Sequence, residues 1–337
     1  MTSVKEFHIE REPTDSSPGR GSFVFTDAYS VFDWGRMPDT IPRKGASLCT
    51  MGAFNFERLE SEGIATHYRG VGEEVQALGA VENPPTRMAI DLVQVPDLPH
   101  DGREYDYDAY HSNAGENYLI PLEIVFRNQV PAGSSLRRRS EPADHGLADE
   151  EWPDEPVVLD EPIVEFSTKY EESDRYLDST EADEIAGNAD IADLETVARK
   201  VNRVVSEQAS SNGFVHEDGK IECCYVDGEI RVADVIGTFD ENRFSYEGQE
   251  LSKEVLRGHH KRTQPEWVEA VASAKEEAKS RDIADWRTLC EHDPEPLSTE
   301  VIDLVSEMYA SGTNAYIGEE WFAAPPVESV VGRVRGL

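Results

Sequence analysis

Apolar and polar positions recur at readable periods along much of the chain. Ile191, Leu194, Val197, Val201 and Val205 fall at three- and four-residue steps, which predicts an amphipathic helix over about 190–209, closed by Asn212-Gly213. Leu119 to Arg127 is a β-branched run suited to a buried strand. Pro121 should sit near its start, because proline cannot donate to a ladder. Ile221 to Val226 and Glu229 to Asp234 flank Asp227-Gly228 and predict a hairpin. Gly21 to Thr26 predicts a short strand after a turn rich in Gly, Pro and Ser. Ala53 to Leu59 reads as helix, with Gly63 as its stop, so residues 1–97 are strands with one helix. Beyond Pro265 the pattern is helical, over Glu266 to Arg281 and Thr299 to Tyr309, with Ser298 as N-cap. The polar, tyrosine-rich stretch 98–117 reads as a loop insertion. Residues 139–161 read as a solvated acidic loop, and the end around Ala324-Pro325-Pro326 as extended chain. There is no internal repeat.

Length and composition narrow the class. The 337 residues suit one large two-lobed unit or two domains, and 38% hydrophobic content allows a sizeable core. No run of 18 apolar residues occurs, so no membrane span is expected. Met1-Thr2-Ser3-Val4-Lys5-Glu6 lacks the apolar stretch of a signal peptide, so a cytoplasmic setting is expected. The formal net charge is 32 − 68 = −36, and the basic residues are mostly Arg. Acids are spread along the chain, denser near 141–161 and 171–193, which favours a salt-adapted surface over an acidic tail for basic partners. The same charge repels phosphates and argues against nucleic acid as a partner. Cys49, Cys223, Cys224 and Cys290 form no CxxC pair and read as buried thiols; a zinc site from Cys223, Cys224 and His216 fits no standard spacing.

Four places could carry chemistry. Glu222 and Asp234 lie on opposite arms of the hairpin, beside Lys220, and paired carboxylates on adjacent strands can hold magnesium. A plain two-residue turn pairs positions summing to 455 and would put them on opposite faces. A left-handed bulge at Gly228 would put both on one face, so metal binding predicts that bulge. On spacing alone, two solvated acids in an acidic chain is the simpler reading. The second place runs from Arg127 through Ala132-Gly133-Ser134 to Arg137-Arg138-Arg139. Arginine forks and exposed backbone N–H groups suit anion capture there, and a cationic patch paired with the 141–161 loop is the alternative. The third is the Gly19-Arg20-Gly21 turn, where backbone could approach a phosphate or simply turn. The fourth is Asp240 with Arg243, which could also be a surface ion pair.

Taken in order over about 19–275, these segments resemble SAICAR synthetases. Pro121-Leu122-Glu123-Ile124-Val125-Phe126-Arg127-Asn128 through Ala132-Gly133-Ser134 to Arg138 is similar to that family's most specific signature. Further matches are Glu161-Pro162-Ile163-Val164-Glu165-Phe166, Lys44-Gly45-Ala46, Gly63-Ile64-Ala65-Thr66-His67, Asp218-Gly219-Lys220-Ile221-Glu222, and Val232-Ala233-Asp234 through Asp240 to Arg243. The chain departs from the family at Ser22, where a second lysine is usual, at Val235 beside Asp234, and at Thr238-Phe239 before Asp240. The acidic composition suggests a haloarchaeal-like branch.

The resemblance implies an α+β, two-lobed fold. Residues 1–118 would form a small antiparallel lobe over ATP, with the insertion at about 98–117. Residues 119–262 would form a larger α/β lobe for substrate and magnesium, and 263–337 a helical C-terminal region. It implies that ATP phosphorylates the carboxylate of carboxyaminoimidazole ribonucleotide (CAIR) and that the amine of L-aspartate then attacks, giving SAICAR, ADP and phosphate. Glu222 and Asp234 would hold Mg2+ on the nucleotide, and Lys220 with Gly19, Arg20 and Gly21 would contact ATP. Arg127, Ser134, Arg138 and Arg243 would hold the phosphate and carboxylates of CAIR, and Asp240 a substrate polar group. Lys220 and Arg243 would act in catalysis itself. Another ATP-dependent ligase or kinase on the same fold, or a non-catalytic nucleotide-binding regulator, remains open, as does a homo-oligomer. The charge has its own consequence: raising KCl from about 0.1 M to about 2 M should raise the melting temperature, because salt screens the self-repulsion. An unchanged or lower melting temperature in high salt would remove the salt-adapted reading.

Overall fold

The computed structural model describes residues 4–148, 151–172, 174–281, 283 and 285–337. The chain opens with strands β1 (Lys5–Arg11) and β2 (Gly19–Phe25), helix α1 (Lys44–Ser61), then β3 (Tyr68–Val71) and β4 (Arg87–Leu92). The strands form an antiparallel sheet in the order β1-β2-β4-β3. Phe23, Phe25, Met88 and Ile90 turn inward and share a core with Leu48, Met51 and Phe56 of α1. The helix therefore begins well before Ala53, at Lys44.

The stretch 98–117, expected as a loop, folds. Strands β5 (His100–Asp101) and β6 (Glu104–Tyr105) pair, and helix α2 (Tyr107–Ala114) leads into β7 (Asn117–Leu119). The Asp106 side chain accepts from the Ala109 N–H at 2.8 Å and caps the helix. Tyr110 is buried and donates its hydroxyl to the Leu119 carbonyl at 2.7 Å. The tyrosines that looked like loop polarity supply apolar rings with a satisfied polar tip.

The larger sheet contains β8 (Leu122–Val130), β9 (Val157–Thr168), β10 (Tyr176–Leu177), β11 (Phe214–Val226), β12 (Glu229–Ala233), β13 (Asn242–Tyr246) and β14 (Gln249–Glu250). Its order is β10-β9-β8-β11-β13-β14, with β7 and β12 also paired to β11. Helices α3 (Ser179–Ala186) and α4 (Ile191–Ser211) connect β10 to β11. Leu194, Ala198, Val201 and Val205 of α4 are buried in the same core as Ile124 and Phe126 of β8. Alternation along β8 then leaves Glu123, Val125 and Arg127 for the other face. The acidic stretch 139–161 is a loop only in part, since β9 begins at Val157; residues 149–150 within it lie outside the described residues.

Helices α5 (Glu254–Thr263), α6 (Pro265–Arg281), α7 (Thr299–Ile317) and α8 (Val327–Val334) complete the chain. Ser298 caps α7 by accepting from the Val301 N–H at 3.3 Å. The end is not wholly extended as expected: Val327, Val330, Val331 and Val334 form a buried stripe, and Pro326 stands at the N-cap of α8. Among the described residues no helix is long and apolar enough to cross a membrane.

Two turn expectations are corrected. In the hairpin Glu222 pairs with Ala233 and Val226 with Glu229, so the connection is the plain two-residue turn without a bulge. Asp227 (φ 49°) and Gly228 (φ 87°) are both left-handed, the backbone that matches the twist of paired strands. Gly19, Arg20 and Gly21 are not a turn; they lie in β2, all three paired with β4 and the last two also with β1. A Cβ on Gly19 would stand 2.3 Å from the Arg11 carbonyl oxygen, and one on Gly21 2.4 Å from that of His8. These glycines are there because backbone passes too close for a side chain. Gly21→Ala should therefore cost about 1–3 kcal/mol of stability, read from the urea midpoint. An unchanged midpoint with weakened ATP binding would restore the phosphate-turn reading.

Candidate active site

One face of the larger sheet gathers charge, at every second residue of β11 and at several places on its neighbours. On β11, Asp218, Lys220 and Glu222 alternate with Gly219 and Ile221. On β8 the same face holds Glu123, Val125 and Arg127, and on β9 it holds Glu165 and Ser167, with Lys169 just past the end of that strand. Register turns these rows into contacts: Asp218 lies opposite Arg127 on one side and Arg243 of β13 on the other. Arg243 Nε donates to Asp218 Oδ1 at 2.7 Å, and its Nη2 to Oδ2. Arg127 Nη1 lies 3.6 Å from Asp218 Oδ2, while its Nε donates to Glu165 Oε2 at 2.7 Å. Lys220 Nζ donates to Glu123 Oε1 at 2.6 Å. Burial works against the Lys220 ammonium, but Glu241 and Glu123 outweigh it and raise its pKa above the ordinary lysine value.

Glu222 and Asp234 meet although their register sets them apart. Asp234 lies one residue past the end of β12, at φ 60°, and this left-handed step turns its carboxylate into the cavity that Glu222 also lines. Asp234 is held there by Lys5 of β1, and its carbonyl accepts from His67 Nε2 at 3.0 Å. Glu222 accepts from Lys169. Burial, then the neighbouring Asp234 charge, pushes the Glu222 carboxyl up to about 7. Burial also pushes Asp234 up, but Lys5, Lys169 and His67 outweigh it and hold that carboxyl below its usual range. The pair therefore shares its space only because cations stand beside it.

Asp240 and Arg243 are not partners of each other. Asp240 follows β12 in a loop held by Asn242, whose Oδ1 accepts from the Gly237 N–H at 3.0 Å and whose Nδ2 donates to the buried His216 at 2.9 Å. Its carboxylate takes Lys44 Nζ at 2.5 Å on Oδ2 and the Tyr309 hydroxyl at 2.7 Å on Oδ1. Burial pushes that carboxyl up, but Lys44, Lys253 and the two hydrogen bonds outweigh it and hold it low.

Three cavities join through shared walls. The central one, about 270 Å³, is lined by Lys5, Lys169, Lys220, Glu222, Asp234, Asp240 and Lys253. It shares Lys5, Glu222 and Asp234 with an apolar cavity of about 360 Å³ between the two sheets, walled by Phe7, Phe23, Ile90, Leu92, Val93, Val95 and Leu119. On its other side it shares Lys220, Asp240, Lys253 and Arg257 with a polar cavity of about 510 Å³, which adds Arg127, Gly133, Ser135 and Arg243.

The structure thus brings together Lys220, Glu222, Asp234, Asp240, Arg127 and Arg243. It does not bring all the expected residues to these cavities. Ser134 is buried, its hydroxyl accepting from the Leu136 N–H at 3.3 Å behind Gly133 and Ser135. Arg138 is exposed and lines none of the three. Its neighbours are structural: Arg137 donates to the carbonyls of Val130 and Glu155, and Arg139 pairs with Glu165 at 2.8 Å while lying over the Tyr176 ring. Gly19, Arg20 and Gly21 also line none; Gly21 acts from behind, since its missing Cβ would press Leu92 of the apolar wall at 2.9 Å. Sequence reasoning missed Lys5, Lys169, Lys253 and Arg257. A signal existed. The chain has only nine lysines, and Lys5, Lys44, Lys169, Lys220 and Lys253 line the central cavity or bond to an acid that does.

Residues 14–274 match the profile of the SAICAR synthetase family. A protein of Archaeoglobus fulgidus, provisionally named a phosphoribosylaminoimidazole-succinocarboxamide synthase, is 41% identical over 345 residues, covering 99% of each chain. The synthase of that name from Thermoplasma acidophilum is 30% identical over 313 residues, 89% of this chain and 93% of its own. The chain belongs to the SAICAR synthetase family. Solved members share the fold: SAICAR synthetase from Pyrococcus horikoshii superposes with a TM-score of 0.58 at 22% identity, over 94% of this chain and 99% of that one. The Saccharomyces cerevisiae enzyme, solved with SAICAR, gives 0.61 at 19%, over 95% and 94%. The α+β architecture expected from the resemblance is therefore the one observed.

Among the described residues no group of three or more His, Cys, Asp or Glu side chains could hold a metal. Two carboxylates fit an ion that takes its other ligands from phosphate and water, as magnesium does. The unusual Glu222 makes a prediction. Its carboxyl loses its proton near 4.5 when exposed and near 7 in the fold, so between those values the folded protein keeps a proton the unfolded chain has lost. Against the rise from His67, His216 and His260, whose imidazoles burial holds down at about 4, the stability that Glu222 contributes must then fall as pH rises through that window. Burial also raises Glu250, to about 8, and that contributes a slope in the same direction. Between about pH 5 and about pH 8 the melting temperature of Glu222→Gln should therefore gain on that of the unsubstituted protein as pH rises. Equal slopes would contradict the shift.

Proposed function

We infer that this chain makes SAICAR in purine biosynthesis: ATP phosphorylates the CAIR carboxylate, the L-aspartate amine attacks the acyl phosphate, and ADP and phosphate leave. The observation that carries this reading is the run of three joined cavities, apolar, then acid and lysine, then arginine and lysine. A nucleotide has that same order of parts, an apolar base and then charged phosphates, and the second substrate meets it as an anion.

The apolar cavity between Phe7, Phe23 and Leu92 takes the base. Glu222 and Asp234 would hold magnesium, which draws charge off the phosphates and is the usual companion of phosphoryl transfer. Lys220, 34% exposed and steadied by Glu123, faces the transferred phosphate, and Lys5 and Lys169 exchange carboxylate for phosphate oxygens as the nucleotide enters. Arg243, Lys253 and Arg257 take the anionic groups of CAIR. Arg127 holds Asp218 and Glu165 from beneath, and so aims Arg243. Ser134 supports the Gly133–Ser135 turn, and Asp240 accepts from a donor on CAIR. Arg138 has no contact in this scheme. The small sheet through β7 acts as the nucleotide lobe, the region to about 262 as the substrate lobe, and the remaining helices as its buttress.

A salt-adapted cytoplasm is the setting this reading gives the enzyme, supported by the net charge of −36. The decisive assay is ADP release from ATP, CAIR and aspartate in molar KCl. It should require both CAIR and aspartate, and Glu222→Ala should lower kcat by about 10²-fold or more while leaving the fold intact. ADP release indifferent to aspartate would assign another acceptor. Tight ATP binding with no turnover would leave a nucleotide-binding regulator.

A further inference from the structure

Asp240 is held from a helix that lies outside the part of the chain matching the family profile. That match ends at residue 274, and α7 begins at Thr299. Tyr309 of α7 is fully buried, and its hydroxyl donates to Asp240 Oδ1 at 2.7 Å. Lys44, equally buried at the start of α1, donates to Oδ2 at 2.5 Å, and its ammonium lies 5.5 Å from the centre of the Tyr309 ring. Each carboxylate oxygen thus has its own donor, and the group cannot rotate without breaking both bonds. The helix is also pressed against the residue before Asp240: a Cβ on Gly312 would stand 2.8 Å from the Phe239 ring. Burial, with Asp240 beside it, raises the Tyr309 phenol well above its usual pKa, so it stays a donor.

We propose that Tyr309 is a positioning residue for the ligase reaction, fixing Asp240 in one orientation toward CAIR, and that α7 thereby completes the substrate end of the site. This rests on the reading that Asp240 contacts CAIR. A carboxylate so far buried is 8% exposed, and it meets a ligand through one edge only. With the phenol gone, Lys44 would be its one remaining hydrogen-bond donor of the two, and the edge offered to substrate would wander.

The test compares Tyr309→Phe, Tyr316→Phe and Asp240→Asn in the full chain. Tyr316 serves as a control for general loosening of α7, because it too is buried there but donates to Asn55 at 2.9 Å rather than to Asp240; Asn55 in turn holds the Gly237 carbonyl. Tyr309→Phe should raise KM for CAIR about five- to tenfold and leave KM for ATP unchanged. The increment should vanish when Asp240→Asn is already present, and Tyr316→Phe should not show it. Wild-type KM values for Tyr309→Phe, an increment that persists beside Asp240→Asn, or the same loss in Tyr316→Phe would each overturn the proposal. Wild-type kinetics for Asp240→Asn would instead remove the contact between Asp240 and CAIR, and the positioning role with it.

Discussion

Two carboxylates facing one small cavity repel each other, and much of this site is the answer to that repulsion. Glu222 and Asp234 can stay together only if cations are near, and three different parts of the chain supply them. Lys5 comes from the first strand of the small sheet, Lys169 from the end of β9, and Lys220 from β11 itself. The Lys5 contact does more than balance charge. It ties the small sheet to the large one across the apolar cavity, so the electrostatics of the acid pair also set how the two sheets meet. When only lysines compensate, Glu222 remains a reluctant anion, shifted up to about 7. A divalent ion would remove that reluctance, which is why the arrangement suits a metal-bearing nucleotide better than a metal-free one.

The rest of the site follows from the two-residue period of a strand. Alternation on β8 sends Ile124 and Phe126 into the core shared with α4, and Glu123 and Arg127 into the site. Antiparallel register then lines up Arg127, Asp218 and Arg243 across three strands. A slip of one residue in β11 would exchange the two faces, putting Lys220 and Glu222 into the core and Ile221 into the cavity. The apolar packing of α4 thereby protects the position of charges it never touches.

Much of this was legible in the sequence, and the failures have physical causes. The periodic elements β8, α4, α6, α7 and the β11–β12 hairpin could be read because one side of each is buried. A bulge at Gly228 would be needed only if both acids sat within strands. Asp234 instead lies just beyond one, and a single left-handed φ does what the bulge was meant to do. No hydrophobic pattern encodes that. Gly19 and Gly21 misled because a glycine needed for close backbone passage looks the same as one needed beside a phosphate. Of the arginines after Leu136, Arg137 and Arg139 bind their own chain, since run composition says nothing about which way each fork points. Lys5 and Lys169 lack any motif; only the scarcity of lysine elsewhere marked them.

The central claim is that Glu222 and Asp234 together seat the metal of a bound nucleotide. The most direct measurement is Mn2+ uptake with and without ADP, followed by the paramagnetic resonance of free Mn2+. The unsubstituted protein should bind Mn2+ tightly only when ADP is present, and Glu222→Gln should weaken that uptake roughly tenfold or more. Equal uptake by both proteins would contradict the account.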